Sequence, residues 1–113
     1  MSSSPLIPTF EELVASITQQ FATLRILYRQ WADLARCAIE GLPYDANKLA
    51  ALETLINEER AALRTPILLA SEHLTEEQLK QLRDQARMSK YAWRTLKKNR
   101  PITLKSGFWL VSY

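Results

Sequence analysis

The chain has 113 residues, 47% of them hydrophobic, which suits one small folded domain. Only two Gly and five Pro argue against a turn-rich all-β fold, and a single cysteine excludes an internal disulfide or a cysteine-rich zinc site. Residues 1–79 carry six bases and eleven acids, whereas residues 80–113 carry nine bases and one acid. This asymmetry favours a polyanion or an acidic protein surface as a partner of the basic end.

Residues 1–8 are predicted to form an extended leader, because serines and the prolines at positions 5 and 8 oppose helix formation. The leader lacks the basic and long apolar regions of a signal peptide. No apolar stretch reaches the length of about 18 residues that a membrane span requires. We therefore expect no membrane association and a cytoplasmic location.

A long first helix is predicted over residues 10 to about 40. Thr9 and Glu12 form a capping-box pattern at its start, and Gly41 with Pro43 signals its end. Its apolar residues recur in alternating steps of four and three, which is typical of a helix packed in a bundle. They are Phe10, Val14, Ile17, Phe21, Leu24, Tyr28, Trp31, Ala35 and Ala38.

A second helix is predicted over residues 46 to 64, with Asp45 as its N-cap and an acidic outer face. Thr65 and Pro66 then either open a short third helix or kink the second one. Another capping box, Thr75 to Gln78, opens the last helix, predicted over residues 76 to 99. The inner faces of these helices are Leu49, Leu52, Ile56, Leu63, Leu79, Leu82, Ala86, Trp93 and Leu96.

The final segment, ITLKSGFWLVSY over residues 102–113, is rich in β-branched and aromatic residues and is predicted to be strand-like or extended. A lone strand must pack on the bundle, pair with another copy or dock on another protein. Phe108, Trp109 and Tyr113 are the predicted partner-binding residues. The predicted fold is therefore all-α, a bundle of about four helices over residues 9–101 with one long N-terminal helix and a short extended C-terminal tail.

The sequence does not favour catalysis. His73 is the only histidine, and glycine occurs only at positions 41 and 107, which excludes a Gly-rich phosphate loop. The acids at positions 58, 59, 72, 76 and 77 are explained by helix caps and solvated helix faces. We therefore predict no catalytic residue, no metal site and no cofactor.

The predicted last helix carries bases that recur every three or four residues, the spacing that keeps side chains on one side of a helix. The basic row is defined as Lys80, Arg83, Arg87, Lys90, Arg94 and Lys97. Lys98 and Arg100 extend the charge, and Tyr91 lies close enough to stack on a base or a guanidinium. Asp84 is the only acid between residues 80 and 101, so the pairing that normally balances a solvated helix is nearly absent.

Three explanations of the basic row remain open: contact with nucleic acid, contact with an acidic protein, and simple solvation. Like charges along a helix repel by a few tenths of a kcal/mol per pair, which favours an anionic partner. Few side chains suited to reading base edges accompany the row, so phosphate contact would be independent of sequence and sensitive to salt. Three further arginines, Arg25, Arg29 and Arg36, lie off the apolar face of the first helix.

A small helical bundle with a basic face, an apolar tail and no catalytic groups resembles the small subunits of multi-subunit CRISPR effector complexes of the Cascade type. The resemblance covers length, helix content and charge rather than a sequence motif. It implies an antiviral ribonucleoprotein in which the basic row contacts phosphates and steadies a guide–target duplex or a displaced DNA strand. The implied partners are single-stranded DNA or an RNA–DNA hybrid, other subunits, and further copies of the chain.

The alternative is a helical adaptor, a chaperone or a phage-encoded inhibitor that binds a protein partner. Its contact surface would be the aromatic tail and the acidic second helix. Charge reversal at Arg87 and Lys90 would impair a nucleic-acid-binding protein, whereas changes in the tail would impair an adaptor.

Overall fold

Four α-helices account for nearly all of the described chain: α1 Phe10–Ile39, α2 Ala46–His73, α3 Glu76–Ala86 and α4 Lys90–Lys98. They belong to a computed structural model that describes residues 8–98. No strand occurs between those residues, so the all-α class and the long first helix are confirmed. Most of the predicted leader and the whole tail, with Phe108, Trp109 and Tyr113, lie outside the described residues, as does Arg100.

Helix α1 begins and ends where its caps predict. The Thr9 hydroxyl accepts a hydrogen bond from the Glu12 amide at 3.2 Å, and the Glu12 carboxylate accepts one from the Thr9 amide at 2.8 Å. At the other end Gly41 has a φ of +74°, and the Leu42 amide donates to the Cys37 carbonyl at 2.8 Å. This Schellman closure needs a left-handed residue, which glycine adopts without a steric penalty.

Helix α2 runs through the proline that was expected to end or kink it. Pro66 lies inside a helix that continues to His73, so of the two alternatives a separate short third helix is wrong, and the second helix extends past residue 64. An interior proline costs about 3 kcal/mol. The buried apolar stripe continues across it, because Leu63, Ile67 and Ala70 are all fully buried. Burying a Leu or Ile side chain contributes about 1.5–3 kcal/mol, so packing of this stripe outweighs the cost of the proline.

The predicted last helix is divided in two, which corrects the expectation of one helix over residues 76 to 99. Arg87 has φ 57° and ψ 43°, in the left-handed region. The Met88 amide donates to the Arg83 carbonyl at 2.8 Å, which repeats the closure seen at the end of α1. The Ser89 hydroxyl then accepts from the Ala92 amide at 3.0 Å and begins α4.

The break directs each short helix onto a different long one. Helix α3 packs on α1, and α4 packs on α2. Met88 and Trp93, on either side of the Ser89 cap, are both buried, in the positions of a hydrophobic staple. The inner-face residues predicted for α2, α3 and α4 are all buried, and the α1 seam is buried except at its two ends, where Phe10, Val14 and Ala38 are half-buried.

Candidate functional site

Two arginines of α2 donate to carbonyls in the last turn of α4. Arg60 is 1% exposed, and its Nη1 donates to the Tyr28 hydroxyl at 2.7 Å. Its Nη2 donates to the Thr95 carbonyl at 3.4 Å, and the Nε of Arg64 donates to the Lys97 carbonyl at 2.8 Å. These two bonds hold the end of the described part of α4 against α2.

Arg25 of α1 does the same for α3. Its Nη2 donates to the carbonyl of Ala86, the last residue of α3, at 3.0 Å, and its guanidinium carbon lies 4.9 Å from the centre of the Phe21 ring. Arg25, Arg60 and Arg64 are called the terminal-carbonyl arginines below. They position α3 and α4, and with them the bases that those helices carry.

The burial of Arg60 could have been predicted from its position in the apolar pattern of α2. Apolar residues of α2 recur at Leu52, Ile56, Leu63 and Ile67, and position 60 falls between them in the same rhythm of three and four. A basic residue at an apolar position of a helix is rarely fully buried without hydrogen-bond partners. Its partner Thr95 is 35 positions away in the sequence, and no local pattern identifies it.

The basic row does not lie on one helix, contrary to the prediction. Lys80 and Arg83 belong to α3, and Arg87 is its left-handed terminal residue. Lys90, Arg94 and Lys97 belong to α4, together with Lys98 and Tyr91. The break at Arg87 therefore separates the row into two groups that pack on different long helices.

The α3 part of the row faces carboxylates. Arg83 is half-buried, with its guanidinium carbon 6.0 Å from the centre of the Trp93 ring. A crevice of about 460 Å³ brings Arg83 together with Lys80 and Lys90. Three acids line the same crevice: Glu76, Glu77 and Asp84. The charges of this crevice balance, so the row is not of one sign along its whole length.

The α4 part of the row has one sign. The helix has nine residues, among which Lys90, Arg94, Lys97 and Lys98 are exposed and none is an acid. Within the described residues no carboxylate lies within 4.0 Å of these four bases. Tyr91, on the same helix, is 52% exposed. Lys90, Arg94 and Lys97 are four and three positions apart and span about 10 Å along the helix axis.

Arg87 joins a different cluster, which the sequence did not indicate. It lines a cleft of about 340 Å³ with Arg25 and Arg29, and this cleft is named the three-arginine cleft. The other lining residues carry no charge: Thr18, Ala22, Ile26 and Gln85. The cluster combines two residues of α1 with one that lies about sixty positions later, so periodicity in a single helix does not reveal it.

Within residues 8–98 no group of three or more His, Cys, Asp or Glu side chains is arranged to bind a metal ion. None of the described helices is long and apolar enough to cross a membrane. His73 lies 3.8 Å from the Glu72 carboxylate, near the end of α2. Comparisons with protein-family models, with curated proteins and with solved structures gave no match to this chain.

Proposed function

We propose that this chain is a non-catalytic nucleic-acid-binding protein that contacts phosphates through the exposed bases of α4. The observation that supports it is a nine-residue helix with four exposed bases, no acid, and no carboxylate of the described residues within 4.0 Å. Isolated surface helices normally balance such charge with acids spaced four residues away. Unbalanced positive charge on one helix is the electrostatic footprint of a polyanion-binding surface.

The dimensions of α4 suit a phosphate backbone. Lys90, Arg94 and Lys97 span about 10 Å along α4. The phosphates of one strand in B-DNA are spaced about 3.4 Å along the axis, so these three bases span about three phosphates. Tyr91 is exposed one position beyond Lys90, where its ring can stack on an unpaired base. Such contacts are independent of base sequence.

The α3 bases contribute less to this surface. Lys80 and Arg83 share their crevice with three carboxylates, as does Lys90 at the start of α4, and Arg83 lies against Trp93. The bases of α4 that lie outside this crevice are Arg94, Lys97 and Lys98. We therefore expect charge reversal on α4 to weaken binding more than charge reversal at Lys80. This ranking places the α4 residues first among the six candidate phosphate contacts of the basic row.

The resemblance to CRISPR small subunits extends the proposal to a place in a larger assembly. In that setting α4 would face a displaced DNA strand or a guide–target RNA–DNA hybrid, with the sequence read by base pairing. Helix content and a one-signed basic helix support this extension. Other subunits and further copies of the chain are the protein partners that it implies.

The experiment is fluorescence anisotropy with labelled single-stranded DNA, duplex DNA and an RNA–DNA hybrid at ~50 and ~200 mM salt. With three or four phosphate contacts, affinity should fall by about 20- to 150-fold between the two salt concentrations. An Arg94→Glu/Lys97→Glu variant should lose binding. An Arg36→Glu/Lys48→Glu variant is the matched control, because it makes the same charge change at exposed residues of α1 and α2.

Absence of binding to all three nucleic acids at low salt, or equal loss in the control variant, would contradict the proposal.

A protein-binding adaptor is the second candidate, and the turn between α1 and α2 favours it. Ile39, Leu42 and Tyr44 are 59%, 50% and 41% exposed around that turn, which leaves three large apolar side chains in solvent. Clustered apolar residues of this kind are typical of protein-contact surfaces.

A further inference from the structure

Three arginines line one cleft at the junction of α1 and α3. Arg25 and Arg29 are one helical turn apart on α1, and Arg87 lies at the C-terminal end of α3. We propose that the three-arginine cleft binds a phosphate monoester, such as the 5′-terminal phosphate of a strand or the phosphate of a nucleotide. For the strand end, the inference rests on the proposed nucleic-acid binding.

The charge in the cleft is strongly positive. No carboxylate lines it, and none of the described residues places a carboxylate within 4.0 Å of its three arginines. The C-terminal end of α3 opposes anion binding with a partial charge of about −0.5. Three guanidinium charges outweigh that term, and Arg25 already donates to the terminal carbonyl of Ala86.

Two residues of the cleft have buried polar atoms without a hydrogen-bond partner among the described residues: Thr18 Oγ1 and Arg25 Nε. Both atoms carry a hydrogen that they can donate. Buried donors in folded proteins are nearly always paired, so these two atoms are donors still available to an anion bound in the cleft.

The conformation of Arg87 is a third, independent observation. Its left-handed backbone is strained for a residue with a β-carbon, and glycine would occupy the same position without strain. The closure of α3 requires a left-handed residue, and the chain has an arginine there although glycine would be less strained. Here the side chain adds the only guanidinium that α3 contributes to the cleft.

A monoester fits this cluster better than the phosphodiester of a chain interior. A phosphate monoester carries a charge of about −1.5 to −2 at pH 7 and offers three acceptor oxygens, whereas a diester carries −1. Arginine binds phosphate oxygens through paired N–H donors in a fixed plane, so three arginines provide enough donors for all three oxygens. The predicted ligand is therefore a chain end or a mononucleotide rather than a continuous backbone.

The test compares two single-stranded oligonucleotides of one sequence, with a 5′-phosphate or a 5′-hydroxyl, by fluorescence anisotropy at ~50 mM salt with the label at the 3′ end. A charge-assisted contact at the chain end should strengthen binding about tenfold or more. Arg29→Gln should remove this difference. Arg36→Gln, the same change at another exposed arginine of α1, should keep it.

A second arm titrates adenosine 5′-monophosphate into the protein, with adenosine as the control, and follows the Arg25 Nε–H signal by NMR. A shift with the monophosphate alone supports the cleft as a monoester site, even if no oligonucleotide binds and the proposed function fails. Equal affinity for the two oligonucleotides together with an unmoved Arg25 signal overturns the inference, even if α4 binds nucleic acid. Loss of discrimination in Arg36→Gln as well as in Arg29→Gln also overturns it, because the effect would then be one of net charge.

Discussion

The two halves of the bundle end their helices by different means. In the α1–α2 hairpin, the caps are local: Thr9 pairs with Glu12, Gly41 closes α1, and Asp45 accepts from the amide three residues on. In the α3–α4 limb, the terminal carbonyls accept hydrogen bonds from arginines that are 61, 35 and 33 positions away. The comparison shows that local caps suffice to describe the hairpin, whereas the limb combines local caps at Thr75 and Ser89 with contacts made only in the folded chain.

The same closure occurs once in each half with a different residue. Gly41 and Arg87 both have positive φ, and in each case the next amide donates to the carbonyl five residues before it at 2.8 Å. Glycine at the first site predicts the end of α1 from the sequence. Arginine at the second site does not, which explains why α3 and α4 were predicted to be one helix.

Replacing Arg60 with methionine should have the largest effect on the limb. Methionine fills part of the space but donates no hydrogen bond, so the Tyr28 hydroxyl and the Thr95 carbonyl each lose a donor. A buried polar group left without a partner costs about 1–3 kcal/mol, and we expect the free energy of unfolding to fall by about 2–3 kcal/mol. Urea denaturation monitored by circular dichroism measures it.

Arg64→Met is the matched control for that change. Arg64 is only half-buried and makes one bond, to the Lys97 carbonyl, so we expect a loss of about 0.5–1 kcal/mol. Equal losses of unfolding free energy in the two variants would mean that burial of Arg60 adds nothing to the contribution of its hydrogen bonds. The comparison of local and distant caps would then have to be abandoned for α4.

The next largest effect is expected from Ser89→Ala. The Ser89 hydroxyl accepts from the Ala92 amide at 3.0 Å, and loss of an N-cap typically costs about 1 kcal/mol. Thr75→Ala removes the corresponding cap of α3 and serves as the comparison. Hydrogen exchange should show faster exchange confined to α4 in the first variant and to α3 in the second, and exchange that rises equally in both helices would contradict separate caps.

The smallest effects should come from exchanging the residues at the two closures. Gly41→Ala should destabilise the protein by about 0.5–1 kcal/mol, and Arg87→Gly should stabilise it by about 0.5 kcal/mol, because only glycine is unstrained at positive φ. A β-carbon at Gly41 would meet no atom within 4 Å, so its cost is conformational alone. Thermal unfolding of both variants measures the signs, and the same sign for both would contradict equivalent closures.

The limits of prediction follow from the same residues. Thr9, Asp45 and Thr75 were each identified as caps because an N-cap and its partner lie three residues apart. The apolar rhythm likewise identified the buried faces. The two alternatives at Pro66 stayed open because the local cost of a proline does not include the packing of Ile67 and Ala70 beside it.

The site was predictable only in part. The bases of α4 were identified from their spacing, but the acids beside Arg83 were not weighed against the basic row, although Glu76, Glu77 and Asp84 all lie on the same helix. The three-arginine cleft depends on Arg87 leaving the row at the helix end and approaching α1. The spacing of residues along one helix cannot predict a cluster whose members lie on two helices.

The terminal-carbonyl arginines also bear on the order in which the chain folds. A contact that closes a longer stretch of flexible chain costs more conformational entropy, and the Arg25–Ala86 bond joins residues 61 positions apart. Once the α1–α2 hairpin has formed, its two helices hold Arg25, Arg60 and Arg64 in place, and each bond to the limb then needs a much shorter closure. We expect the hairpin to form early and to template the docking of α3 and α4, so that Arg60→Met accelerates unfolding in stopped-flow experiments and leaves the refolding rate nearly unchanged.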